Sequence, residues 1–338
     1  MNSLIFKKLS LFLTCLLIVC CKKKDAVEEF GADEPNAVKI TDYGVVPNDG
    51  QDDTQAFQTA IDEVAKKGGG TILVPNGHYT LDAIKSVFLK SNITLRLDKE
   101  AYLTAIPNDK SQYRILIMVN VENVKITGGN IQGERRNHTG SGGEWGMGIA
   151  VYGGKNITIE NIVITDCWGD GIYISANVNR SENVVVRNIK CFDNRRQGLS
   201  IISADNVLVT DSEFSRTAGT LPECGIDIEP NTGDKVTRVV IRNCIFNENE
   251  KSGVLVSAGA DNCHISDVLV ENNRFINNRY WAGYIVGKKN SVQVENIRFV
   301  NNIFKGNILA AQNNSPANEV YIRDICSHCT ISPNTIED

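Results

Sequence analysis

The sequence predicts an all-β fold: a single-stranded right-handed parallel β-helix with a short N-terminal helical cap. Three observations carry this. A motif of Gly or Asn followed by alternating hydrophobic and variable residues recurs from residue 148, at spacings of 23, 27, 27, 28, 30 and 24 residues. A second motif, Asn or Asp shortly before a hydrophobic residue, sits inside each period. A short β-branched run precedes that second motif every time. A fixed period of this length marks one supersecondary unit stacked on itself.

The first motif has copies at Gly148–Tyr152, Gly171–Ser175, Gly198–Ile202, Gly225–Glu229, Gly253–Ser257, Gly283–Gly287 and Asn307–Ala311. The second includes Asn161, Asn188, Asp211, Asn243, Asn272 and Asn301, with Phe214, Phe246, Phe275 and Phe304 closing four of its copies. Each period therefore reads as three short strands joined by turns rich in Gly, Asn and Asp. The runs are too short, and Gly and Asn too dense, for helix interiors. About ten coils are expected, with the Phe row stacked inside and the Asn row forming an internal ladder.

Residues 38–105 depart from the repeat. Val38–Gly44 reads as a strand entering a turn. Gln55–Lys67 places Ala56, Phe57, Ala60, Ile61 and Val64 on one helical face. Such a helix covers the open end of a solenoid.

The chain has 338 residues, 42% of them hydrophobic, ample for a core. The formal net charge is −5 and the pI about 5.6, which argues against nucleic acid as a partner. Residues 1–19 read as an export leader, with Lys7 and Lys8 before the apolar run Leu9–Val19. Residues 20–36 read as a polar tether and 37–338 as the β-helix domain. Cys326 and Cys329 flank His328 and either pair or contribute to a metal site, though two Cys and one His are few for zinc. A monomer is expected.

Alternation directs two residues of each Gly-initiated strand outward. Most copies offer small or neutral residues there, but Gly225–Glu229 offers Asp227 and Glu229 together. Their spacing permits the roughly 6.5–9.5 Å separation of an inverting glycosidase. Asp170 and Arg196 are further catalytic candidates. Trp145, Trp168, Tyr173, Arg195, Glu223 and Tyr280 are candidate substrate contacts: the aromatics suit sugar faces and the arginine forks suit uronate or sulfate. Glu144 lies on the same side. His138 reads as part of a flexible lid.

The run Asp42-Tyr-Gly44, Asp49–Thr54 and Gly68–Tyr79 resembles the opening of the pectate lyase superfamily. Leu89–Leu95 narrows the resemblance towards polygalacturonase-like glycoside hydrolases of family 28. The resemblance implies a carbohydrate-active β-helix. Its catalytic motifs are incomplete: Trp168–Gly171 keeps only Asp170, Arg196 and Gln197 stand where paired aspartates belong, and Glu223–Gly225 has no histidine. Leu17–Cys20 also resembles a bacterial lipoprotein signal, which implies lipidation at Cys20, with Cys21 as the fallback.

The expectation is an exported, lipid-anchored enzyme of the cell envelope that hydrolyses an acidic polysaccharide with paired carboxylates and no cofactor. One alternative is a lyase or epimerase in which Asp227 and Glu229 hold calcium and Arg195, Arg196 or Lys235 moves the proton. Another is a glycan-binding β-helix without catalysis.

Overall fold

A computed structural model describes residues 30–31, 34, 36–287, 291–308, 319–324 and 326–337. The leader, Cys20 and most of the tether lie outside the described residues. Three parallel sheets, of 11, 9 and 10 strands, run the length of the molecule. Each coil gives one strand to each sheet in turn, so every strand pairs with its equivalents about one period away. Lys155–Glu160, for example, pairs with Glu122–Thr127 on one side and Ser181–Arg187 on the other.

Inward side chains fill the space between the sheets. Phe214, Phe246, Phe275 and Phe304 stack coil on coil in register, with ring centroids 5.7, 4.7 and 5.5 Å apart. Cys191 and Cys244 are buried beside them as small apolar groups. The glycine that opens each coil gives these rings room: a Cβ on Gly198 would come within 2.7 Å of the Phe214 ring and 2.5 Å of the Gly225 carbonyl. The helix Thr54–Lys66 buries Phe57, Ala60, Ile61 and Val64 and covers the N-terminal end.

The Asn row is corrected by the structure. Asn161 and Asn188 lie in exposed turns with positive φ, and their side chains bond to each other outside the coil. The internal ladder uses the following residue. Asn273 donates to Asn302, and Asn302 to Asn334, while each also donates to a strand carbonyl. A second internal ladder runs Asn249, Asn278, Asn307. Asn307 is therefore a turn residue. The strand that pairs with Gly283–Gly287 is Val320–Asp324.

The register of Gly283–Gly287 is also corrected. Gly283 pairs with Val254, not Gly253: the loop keeps its length, Ala282 takes the place of the opening glycine, and the glycine falls one residue later. Tyr284 and Val286 therefore take the outward positions, and Ile285 points into the core. Cys326 and Cys329 form a disulfide.

Candidate active site

The nine-stranded sheet carries the candidate residues. One outward column reads Ala150, Tyr173, Ser200, Asp227, Leu255, Tyr284, Tyr321 in continuous register. Beside it, Ser257, Val286 and Arg323 continue a second column along the same face.

Arg196 is the centre of the site. It ends the turn before the strand Gln197–Ile201, and its guanidinium is almost enclosed. Nη1 donates to both oxygens of Asp170, at 3.3 and 3.1 Å. Nε lies 3.7 Å from Glu144 and Nη2 lies 3.9 Å from Glu229. Burial works against the arginine charge, yet the carboxyls of Asp170, Asp227 and Glu144 raise its pKa and hold it protonated.

Asp170 is fully buried. Its Oδ2 also accepts from the Ser200 hydroxyl at 2.8 Å. Burial pushes its carboxyl upward, while Arg196 and Ser200 pull it back. Both oxygens already accept hydrogen bonds, so Asp170 acts as the fixed anion of the cluster.

Asp227 leaves the strand outward, as alternation requires, but it is 0% exposed. The outward-pointing carboxylate read from the sequence is thus a buried one. The Gln197 amide donates to its Oδ2 at 2.9 Å, and the same side chain accepts the Cys224 N–H. Among the described residues, Oδ1 has no hydrogen-bond partner. Burial and the Glu229 carboxylate drive the Asp227 pKa well above the ordinary range, against the pull of Arg196. The carboxyls around Arg196 carry more charge than one cation offsets, and protonation of Asp227 relieves the excess.

Two depressions meet at this cluster and share Arg196 and Glu229. One, of about 330 Å³, is walled by Trp145, Tyr173 and Ile202. The other, of about 520 Å³, includes Glu144, Lys251, Leu255, Tyr280, Tyr284 and Arg323. Together they form a groove along the sheet. A separate hollow of about 380 Å³ near Gly153 and Arg180 contains none of the candidate residues.

The groove takes up Trp145, Tyr173 and Tyr280 but not the other expected contacts. Trp168 is held by His138 and by Arg195, each 3.8 Å from its ring, and has no free face for a sugar. Arg195 Nη1 donates to the Gly143 and Trp168 carbonyls, which holds the guanidinium against the indole. Glu223 accepts the Gly219 N–H and closes its own loop. His138 is not a flexible lid residue: its side chain is 1% exposed and its Nδ1 lies 2.9 Å from Glu134. This packing fixes the loop that delivers Glu144 and Trp145. Lys235 lies on the eleven-stranded sheet, away from the groove.

Several site residues escaped the sequence reading. Gln197 and Ser200 orient the two aspartates. Tyr284 becomes visible only when its coil is shifted by one residue. Among the described residues, no group of three or more His, Cys, Asp and Glu side chains is arranged to hold a metal.

Residues 115–304, more than half of the chain, match the family model described as a right handed beta helix region. Residues 37–96 match the model "Rhamnogalacturonase A/epimerase, pectate lyase-like". The uncharacterized protein YclG of Bacillus subtilis is 31% identical over 269 residues, 70% of this chain and 45% of that protein. Plasmin and fibronectin-binding protein A of Streptococcus pneumoniae is 30% identical over 278 residues, 73% of this chain and 37% of that protein. The chain spans under half the length of these two relatives. A solved galactose-4-sulfate/3,6-anhydrogalactose-2-sulfate galactohydrolase superposes with a TM-score of 0.62 at 16% identity, over 79% of this chain and 71% of that one. The repeat, the three parallel sheets and the family matches agree, and the chain belongs to the right-handed β-helix family, with an N-terminal stretch of the pectate lyase superfamily.

Proposed function

We propose that this protein is an enzyme that cleaves glycosidic bonds of an acidic polysaccharide by hydrolysis. The observation that carries the reading is the position of Glu144 and Glu229. Both are about one-third exposed, both face the groove, and both lie within 4 Å of the one Arg196 guanidinium. Two carboxyls so placed are no more than about 10 Å apart, which covers the separations glycosidases use. The fold likeness to a sulfated-galactan hydrolase supports the same class.

In this reading Glu229 and Glu144 are the carboxyls that reach the sugar. Asp227 lies beneath Glu229 as a protonated neighbour that can supply or take up a proton. Asp170 and Ser200 hold Arg196 in place. Arg196 supplies the positive charge that a calcium ion would bring, so the reaction needs no metal. The leader and the Cys20 context support export and anchoring to the cell envelope by lipid.

A second reading, a β-helix that binds without catalysis, is favoured by the relative named for binding plasmin and fibronectin. The test is incubation with pectic, alginate and sulfated-galactan substrates, with and without a chelator, followed by mass spectrometry. Saturated oligosaccharides from the wild type, unaffected by chelator and absent from Glu229→Gln, are expected. Unsaturated ends would select a lyase. Binding without any product would select the second reading.

A further inference from the structure

The groove extends well past its carboxyl cluster. Along the second outward column, Glu229 is followed by Ser257, Val286 and Arg323 on three successive coils. Three strand spacings place Arg323 about 14 Å from Glu229 at the backbone. That length suits a short oligosaccharide rather than a single sugar.

The chemistry changes over this distance. Near Arg196 the groove is acidic. At its far end, the 520 Å³ depression is bounded by Tyr280, Tyr284, Lys251 and Arg323. Tyr284 stands on Leu255 and beneath Tyr321, with the two tyrosine rings stacked at 5.8 Å. Trp281 packs behind them, 5.0 Å from Tyr284 and 4.5 Å from Tyr321, and is nearly buried. These contacts brace the aromatic wall. Half-open, braced tyrosines offer flat faces at little entropic cost.

Two cations flank that wall. The Lys251 ammonium lies 5.7 Å from the Tyr280 ring and meets no carboxylate among the described residues. Arg323 is exposed and bonds to the Tyr284 side chain, and its one carboxylate neighbour among the described residues, Asp324, is 3.6 Å from Nε on an equally open site. Exposed pairs of this kind are weak, so the guanidinium, steered onto the wall by Tyr284, keeps donors for a ligand.

We infer that this far end is a binding subsite for a sugar ring bearing an anionic substituent, a uronate carboxylate or a sulfate ester, stacked on Tyr284 and paired with Lys251 and Arg323. The inference rests on the polysaccharide reading of the same groove and specifies the substrate's charge and where along the groove it is read. Both anions are planar or trigonal arrays of oxygens that a guanidinium meets with two donors.

The test measures binding by calorimetry, using the full chain carrying Glu229→Gln so that no probe is consumed. The probes are oligogalacturonate, a sulfated galactan oligosaccharide and a neutral galactan oligosaccharide of the same length. The expected result is at least tenfold tighter binding of one anionic probe than of the neutral one. Lys251→Ala/Arg323→Ala should remove that preference without weakening the neutral probe. Tyr284→Ala should weaken anionic and neutral probes alike. The anionic probe that prevails identifies uronate or sulfate. Circular dichroism must match the parent for each variant, and Arg323→Gln replaces any that fails to fold. Equal binding of charged and neutral probes, unchanged preference in the double variant, or no binding at all overturns the subsite. Cleavage by the wild type with a KM indifferent to Lys251 and Arg323 overturns it while leaving the hydrolase reading intact. Selective binding with no cleavage does the reverse.

Discussion

Arg196 Nη1 lies 3.1 Å from Asp170 Oδ2, and the two side chains join consecutive coils beneath the groove. The carboxylate is fully buried and the guanidinium nearly so. Removing one member leaves the other's environment uncompensated. Arg196→Met is expected to destabilise the protein by about 3–5 kcal/mol, the usual cost of breaking a buried pair. Glu144→Gln and Glu229→Gln, being partly solvated, should each cost under about 1 kcal/mol. Urea unfolding of the three variants checks the order. Equal midpoints for all three would mean that Arg196 does not organise the cluster.

Asp227 gives a pH prediction. Burial and the Glu229 carboxylate hold its folded pKa well above the unfolded value. The stability it contributes is complete below the unfolded pKa and is lost as pH rises through the folded pKa. Asp227→Asn fixes the neutral form and retains an acceptor for Gln197. Its melting temperature should fall less than the wild type's on the alkaline side. The difference narrows the slope without abolishing it, because Asp170 and Cys224 are shifted in the same sense. Activity should drop at least about a hundredfold if the Asp227 proton enters the reaction. Parallel melting curves from acid to alkaline pH would show that the carboxyl is not held neutral.

The fold was legible because the period repeats the same physical demands in every coil. An opening glycine, two inward hydrophobics and an inward Phe can be read from one copy and checked against the next. Asp227 shows where such reading ends. Alternation says that it leaves the coil outward, but it ends fully buried, bonded to Gln197 and close to the charges of Arg196 and Glu229, an arrangement that no single copy of the repeat shows. Trp168 fails for the same reason: its position suits a sugar platform, but Arg195 and His138 come from other coils to cover it. Tyr284 was hidden because Ala282 takes the opening glycine's place and Gly283 falls one residue later, and a one-residue slip exchanges inward and outward faces. The two Asn rows are adjacent in sequence, as in Asn272 and Asn273, and only φ and depth separate them.

The two rows predict different costs. Asn302 lies inside, accepting from the Asn273 backbone and side chain and donating to the Val270 carbonyl. Asn302→Ala strands buried donors and acceptors, and should cost at least about 1–3 kcal/mol. Asn188 bonds to Asn161 in an exposed turn with a φ of 49°. Asn188→Gly keeps that backbone conformation and should change stability by no more than about 0.5 kcal/mol. Chemical denaturation compares them directly, and similar costs would place both rows on the same side of the wall.

Lipid anchoring has a simple test. Labelled palmitate should enter the protein in a bacterial host and be lost in Cys20→Ser. Label that persists in Cys20→Ser but disappears in Cys21→Ser moves the site by one residue. Label that never enters removes the anchor.

The last prediction concerns the end of the second internal ladder. Asn249 donates to Asn278, Asn278 to Asn307, and Asn307 to Glu319 Oε2 at 3.0 Å. A carboxyl thus stands where the next asparagine would be. Burial pushes its pKa up to about 7, with the Asn307 amide pulling the other way. The folded value lies above the unfolded one, so its contribution to stability is present below the unfolded pKa and fades as pH rises through about 7. Glu319→Gln offers the same acceptor to Asn307 without the charge. The variant and the wild type should melt at similar temperatures in mild acid, and the variant should melt higher once the pH passes neutrality. Melting curves recorded from about pH 5 to pH 9 check this. A constant offset across that range would mean that Glu319 ionises as freely in the folded chain as in the unfolded one, and that the ladder ends in solvent.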